Sequence, residues 1–447
     1  MVHRQATPSP HELYHIVPIR KGNEPMSLFI RICLCGLILF VSFPQPAAAN
    51  DTLASGCYDG DHELSDAVYR ICMPAPGAWN DDLVVFAHGY VAPNLPVAIP
   101  ENQLVLPDGT SIPQIINQLG YAFATTSYAT NGLAVKQGVS DLLELVDIFN
   151  NEESPPGRVY LVGASEGGLI TTLGVEAHPE VFSGGLAACG PVGDFRKQVD
   201  YWGNFRASFD YFFPEHPIPN DPIDIDESIW PDWETVYEPA ISASLYARPD
   251  ATRQLLRVAK APVDSNEPAT IADTVTGLLW YNVFATNDGV DKLGGNPFDN
   301  SRHWYWGSKN DLRLNWEVER FEVDPAALAE IEAHYQTSGE IPTQLVTIHT
   351  TGDPIVPYWH VWLYRHKIYQ SGSWYRYSNL PIHRYGHCNF KPTEVLAAFG
   401  LLVLKTSGFP LQNVGSVLTE PEALQEYQRL LESSNQSEGV YLPLISK

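Results

Sequence analysis

Ten residues constrain this chain more than any others: Val159 to Gly168, V-Y-L-V-G-A-S-E-G-G. Val159 to Val162 are apolar and long enough for a short buried strand. Leu169, Ile170, Leu173 and Val175 follow at spacings that suit a helix packed on a sheet. Between strand and helix stands G-x-S-x-G. Gly163 and Gly167 lack a Cβ, so the two elements can close around a strained turn. Such a turn pushes the hydroxyl of Ser165 out of the sheet. The helix that starts there aims its free N–H groups and positive dipole end at the same spot. The bland alternative is a glycine-rich connection with an ordinary serine. What decides between the two is whether the chain also supplies a base and an acid.

The flanking sequence alternates strand and helix. Leu83 to Ala87 reads as a buried strand, Ile112 to Leu119 as a short helix and Tyr121 to Ser127 as a strand. Val135 to Asn150 is an amphipathic helix, and Gly184 to Cys189 is the strand after the serine helix. This alternation predicts a mostly parallel sheet with helices on both faces. Asn50 to Pro76 reads as a polar entry segment containing Cys57 and Cys72, with the first strand at Leu83. From Asp194 to Pro342 strand signal is weak and aromatics crowd, among them Trp202, Phe205, Trp280, Tyr281 and Trp306. That stretch is expected to be a mainly helical cap inserted after the sixth strand. A few of its aromatics should face a cleft. The sheet resumes at Leu345 to His349, with a helix over Trp359 to Gln370 and a last strand over Trp374 to Ser378. An apolar helix spans Thr393 to Leu404, and a tail helix Pro421 to Leu431. The expected division is 1–49 as a targeting region, 50–193 and 343–447 as two parts of one α/β domain, and 194–342 as the cap.

On these residues the chain resembles the α/β-hydrolase superfamily. G-A-S-E-G-G-L after V-Y-L-V is similar to its nucleophile elbow. The doubled glycine, and H-P-E-V-F-S-G-G-L-A-A further on, also resemble the catalytic domain of the prolyl oligopeptidase family. The resemblance runs from about Leu83 to Ser407, apart from the insertion. It implies an α/β-hydrolase fold and Ser-His-acid hydrolysis.

A serine hydroxyl needs a base within hydrogen-bond reach, and the base needs an orienting acid. In this superfamily the chain order is serine, acid, histidine. Asp353 follows the resumed strand in H-T-T-G-D-P-I-V-P, where Gly352 and Pro354 frame a tight turn. G-D-x-x-V-P is similar to the acid turn of the oligopeptidase family. His387 lies in R-Y-G-H-C, the expected place for the base, with His383 as its rival. Asp194, at the end of the sixth strand, is the rival acid. The oxyanion needs two fixed N–H donors. One is the backbone N–H of Glu166. The other is the N–H of Tyr90, since His88-Gly89-Tyr90 resembles the H-G-x oxyanion element. Tyr90 could add its hydroxyl, and His88 would hold the loop.

Composition narrows the partners. Lys and Arg number 27 against 52 Asp and Glu, a net charge of −25. Such a surface repels nucleic acid and anionic lipid, and no basic run counters it. Asp221, Asp224, Asp226 and Glu227 crowd around two prolines, but their spacing is not that of an EF-hand. A solvated acidic loop is the expectation, and neither metal nor cofactor is expected. Met26 to Arg31, the apolar run Ile32 to Phe43 and the small residues ending at Ala49 read as a secretory signal, with Met26 as the natural start. The protein is therefore expected to be secreted or periplasmic, without stable membrane insertion once the signal is cleaved. Beyond that segment remain Cys57, Cys72, Cys189 and Cys388, an even number suited to an oxidising compartment. Cys57 with Cys72 would close a short loop. Cys189, at the end of a strand beside the elbow strand, could meet Cys388 beside His387. Unpaired thiols, or Cys57 with Cys388, are the alternatives.

The leading expectation is a serine hydrolase for small or medium, apolar or aromatic carboxylic esters. A peptidase of the prolyl oligopeptidase type is the runner-up. About 30 residues between the cleavage site and the first strand leave no room for that family's β-propeller. A non-catalytic hydrolase-fold binding protein is the third reading.

Overall fold

The computed structural model describes residues 56–106 and 109–437. The signal-like segment over 1–49 and the proposed start at Met26 lie outside the described residues. Eight strands form one sheet: β1 (Cys57–Asp61), β2 (Val68–Cys72), β3 (Asp82–Ala87), β4 (Ala122–Thr126), β5 (Arg158–Ala164), β6 (Gly184–Ala188), β7 (Gln344–Gly352) and β8 (Tyr377–Tyr385). Their order across the sheet is β1-β2-β4-β3-β5-β6-β7-β8. From β4 to β8 every pairing is parallel, while β2 runs antiparallel to both β1 and β4.

The helices are α1 (Ile112–Gln118), α2 (Val135–Glu152), α3 (Glu166–Ala177), α4 (Phe195–Phe212), α5 (Glu238–Ala247), α6 (Pro249–Ala259), α7 (Thr270–Leu293), α8 (Asp311–Glu317), α9 (Pro325–His334), α10 (Trp359–Ser371), α11 (Pro392–Ser407), α12 (Val414–Val417) and α13 (Pro421–Ser437). A buried parallel strand must be apolar on both faces, because crossover helices cover both. β3 does this residue by residue. Leu83, Val85 and Ala87 join the core made with α2, α3 and α10, while Val84 and Phe86 join the core made with α1, α11 and α13. The helices between β6 and β7 enclose a third core, built on Phe205, Phe209, Phe213, Trp233, Leu278 and Tyr305. Ile355 and Val356, from the turn after β7, are part of it.

Two expectations need correction. The strand at Leu83 is not the first, because β1 and β2 form a hairpin before it that extends the sheet. Its signal was the alternation in V-Y-R-I-C, where Tyr69 and Ile71 are buried and Arg70 bonds Asp59 on the outer side. The last strand begins at Tyr377 rather than Trp374, and Trp374–Arg376 is a 3-10 turn. Pro381 and the polar residues around it disguised the strand. An edge strand tolerates proline because one row of its N–H groups has no ladder partner.

Cys57 and Cys72 face each other across the hairpin and are disulfide-bonded, 15 residues apart. In the chain-entropy account a loop of that size is worth about 3 kcal/mol. Replacing both by alanine should lower the urea unfolding free energy by about that amount without changing the far-ultraviolet circular dichroism.

Candidate active site

The turn from β5 into α3 is as tight as its glycines suggest. A Cβ on Gly163 would collide with the carbonyl of Gly167, and one on Gly167 with the carbonyl of Ala87. Ser165 itself sits at φ 57°, ψ −121°, a conformation L-residues rarely adopt. Such strain costs on the order of 1–3 kcal/mol and persists only where packing over-determines it. Here the Ser165 N–H donates to Ala188 O at 2.9 Å, tying the elbow to β6.

Three side chains from three loops meet above this turn. The hydroxyl of Ser165 stands 2.8 Å from His387 Nε2, and His387 Nδ1 stands 2.7 Å from Asp353 Oδ2. Asp353 is fully buried. Its Oδ1 accepts the N–H groups of Ile355 and Val356, both at 2.9 Å, and His349 Nε2 lies 3.5 Å from Oδ2. Burial pushes the Asp353 carboxyl up. The charge of His387 and the hydrogen bonds of His349 and His387 outweigh that and hold it at about 2. A carboxylate accepts, so the proton of the His387–Asp353 bond sits on Nδ1, leaving Nε2 free to accept from Ser165.

The rival residues, the acidic loop and the nearby His360 have other positions. His383 is exposed on β8. Asp194 caps α4, accepting from Lys197 N and Gln336 Nε2. His360 is buried and braces the chain after β6 through Gly193 N at 3.0 Å and Gln198 Oε1 at 2.7 Å. In the acidic loop, Asp221 and Asp226 accept the N–H groups of Ile223 and Ser228.

The chain after β3 crosses beside the serine, so closely that a Cβ on Gly89 would lie 3.2 Å from Ser165 Cβ. Gln103, unforeseen from sequence, accepts from Gly89 N at 2.6 Å and donates to Tyr90 O at 3.2 Å. Among the described residues no partner takes the N–H of Tyr90 or of Glu166. The Tyr90 hydroxyl is engaged elsewhere, donating to Phe284 O at 3.0 Å, so it does not join those N–H groups. His88 bonds Gly89 O at 2.7 Å and stacks on Tyr128, and burial pushes its imidazole down to about 4.

One further connection was illegible in sequence, while the Cys189–Cys388 pairing was among those the sequence offered. Tyr201 donates to Pro354 O, while Gln198 and Trp202 donate to Ile355 O, so α4 holds the acid turn from outside. Cys189 and Cys388 are disulfide-bonded, and Cys388 Sγ lies 3.5 Å from His387 Nε2. Trp202 and Tyr281 stack with centroids 4.9 Å apart and wall a cavity that opens at Ser165.

The strand order, with β2 antiparallel beside a run of parallel crossovers, is that of the α/β-hydrolase fold. No protein-family model and no curated protein matches the chain. Solved structures with similar architecture include lipase A of Candida antarctica (14% identity, 84% of this chain and 85% of the lipase, TM-score 0.44). Feruloyl esterase B from Aspergillus oryzae is similar at 13% identity (79% and 81% covered, TM-score 0.40). The acylaminoacyl peptidase of Pyrococcus horikoshii is similar at 11% identity (TM-score 0.38). It shares 87% of this chain, but the chain spans only 42% of the peptidase's length.

Glu166 is buried, one oxygen accepting from Ala134 N at 2.9 Å and the other without a partner. Burial raises its carboxyl from 4.5 to about 8. Between those values the folded chain binds more protons than the unfolded one, so stability falls as pH rises and levels off above about 8. The melting temperature of Glu166→Gln relative to wild type should therefore rise by at least about 2 °C between pH 5 and pH 9. A constant difference across that range would show that Glu166 ionises normally. Separately, Cys189→Ser/Cys388→Ser should stay folded by circular dichroism, with ordering at His387 loosened in its imidazole NMR signals.

Proposed function

We propose that this chain is a secreted serine hydrolase that cleaves carboxylic esters through an acyl-enzyme on Ser165. One observation carries the reading: the unbroken hydrogen-bonded line from Ser165 through His387 to the buried Asp353, beside two unpaired backbone N–H groups. His387 takes the Ser165 proton on Nε2 as the oxygen attacks the ester carbonyl. Asp353 keeps the Nδ1–H tautomer and stabilises the imidazolium. The N–H groups of Tyr90 and Glu166 receive the oxyanion. The intermediate collapses, and the leaving alkoxide departs as alcohol with the proton from Nε2. Water then attacks the acyl-enzyme, giving its proton to His387, and the second collapse returns that proton to Ser165 with release of the acid. Export is supported by two disulfides and by the sequence of Met26 to Ala49. The helices between β6 and β7 act as a cap over the cleft, and the aromatic wall of Trp202 and Tyr281 favours apolar or aromatic esters.

A fluorophosphonate probe should label wild type and not Ser165→Ala, and absence of labelling would make this a binding protein. Ser165→Ala and His387→Ala should each cost on the order of 10⁴ to 10⁶ in kcat, and Asp353→Asn about 10⁴ through the wrong tautomer. Nitrophenyl esters run beside proline-containing peptide amides separate esterase from peptidase. Faster turnover of the amides would reverse the assignment.

A further inference from the structure

Among the described residues, one buried helical glycine has no contact that explains it. Gly289 lies in the body of α7, where glycine costs about 1 kcal/mol relative to alanine. The other glycines inside α4 and α7 are accounted for by their neighbours. A Cβ on Gly203 of α4 would collide with the Phe298 ring, and one on Gly277 of α7 would meet Ile355 at 3.2 Å. Gly289 is buried, yet a Cβ there would find nothing within 4 Å. It faces empty space inside the fold.

That space is the cavity that opens at Ser165. Tyr281, Ala285, Gly289 and Leu293 of α7 all line it. They are spaced four residues apart, so they form one face of the helix, about 18 Å long at 1.5 Å per residue. Its ends are large and its middle is small, which leaves a channel rather than a packed seam. Leu169 and Phe195 also line it. The asparagines on the wall are tied to the protein: Asn282 to Arg206 and Pro222, Asn296 to Phe298 and Glu322. Glu166 differs, since it also lines the cavity and has one carboxyl oxygen that is buried and unpaired.

We infer that this channel holds an unbranched hydrocarbon chain of the substrate, running from Ser165 along α7 past the open face of Gly289. The assignment rests on the ester-hydrolase reading and narrows it to esters with a linear aliphatic chain of about eight to twelve carbons, the length such a helix face can accommodate. The chain belongs either to the acid or to the alcohol. The hydrocarbon chemistry is the same in both.

The decisive variant is Gly289→Leu, which places a side chain in the channel from a Cβ position with no protein atom within 4 Å. Gly289→Ala is its control for folding, because it removes the helix penalty while adding one carbon. Each methylene in an apolar site is worth roughly fourfold. Excluding three or four should therefore lower the decanoate-to-acetate ratio of kcat/KM for nitrophenyl esters by about 100-fold in Gly289→Leu. If the alcohol occupies the channel, the decyl-to-ethyl acetate ratio falls instead. Equal ratios in wild type and Gly289→Leu for both series would overturn the assignment. A second measurement is independent of turnover. Ser165→Ala protein should bind decanoate by calorimetry or tryptophan quenching, and Ser165→Ala/Gly289→Leu should lose at least 30-fold in affinity. No decanoate binding up to millimolar concentration, or unchanged binding in the double variant, sinks the channel whatever esters are cleaved. Loss of binding in the double variant, with no ester cleaved by wild type, keeps the channel and removes the ester-hydrolase reading.

Discussion

The site depends on one buried charge. Asp353 has no solvent, so its ionised form survives only because donors surround it on every side. Ile355 and Val356 supply backbone N–H groups, His387 supplies its Nδ1–H, and His349 Nε2 lies 3.5 Å away while it donates to Val356 O. Removing a partner from such a group costs more than the bond itself is worth, because an uncompensated charge is left in an apolar interior. The turn that presents those N–H groups is itself held by Gln198, Tyr201 and Trp202 of α4. The segment between β6 and β7 is thus joined to the acid turn by hydrogen bonds as well as by the shared core of Ile355 and Val356.

The same economy holds at the serine. The elbow brings backbone carbonyls of β3 and α3 where side chains would otherwise be, and the strained φ of Ser165 is fixed by neighbouring chains. Close packing of this kind leaves few ways for the turn to relax. The loop after β3 is positioned from the side by Gln103.

What the sequence made legible follows from range. Strand–G-x-S-x-G–helix is local, and so are G-D-P after a strand and G-H-C before a helix. Ser165, Asp353 and His387 could each be singled out from a few neighbours. The alternating core of β3 and the periodic face of α2 were readable for the same reason. The connections of Gln198, Tyr201 and Trp202 to the acid turn span more than 150 positions, and no local pattern encodes them. Nothing beside His349 in the chain marks it out, yet it bonds Val356 O and lies beside Asp353. The β1–β2 hairpin was hidden by its polar outer face, and the start of β8 by a proline that an edge strand can carry.

The bridge between Cys189 and Cys388 spans 199 residues. Its consequence lies in time. Cys189 leaves the ribosome long before Cys388, so the link can close only when almost the whole described chain has been made. It closes onto the residue next to His387, after the sheet and the segment between β6 and β7 have had their chance to form. The bridge is one of the later links the chain can make, and an unoxidised chain would hold its serine by the elbow and its imidazole by Asp353 alone. Maturation of the site would then be governed by the supply of oxidant where the chain folds, as a step distinct from building the sheet.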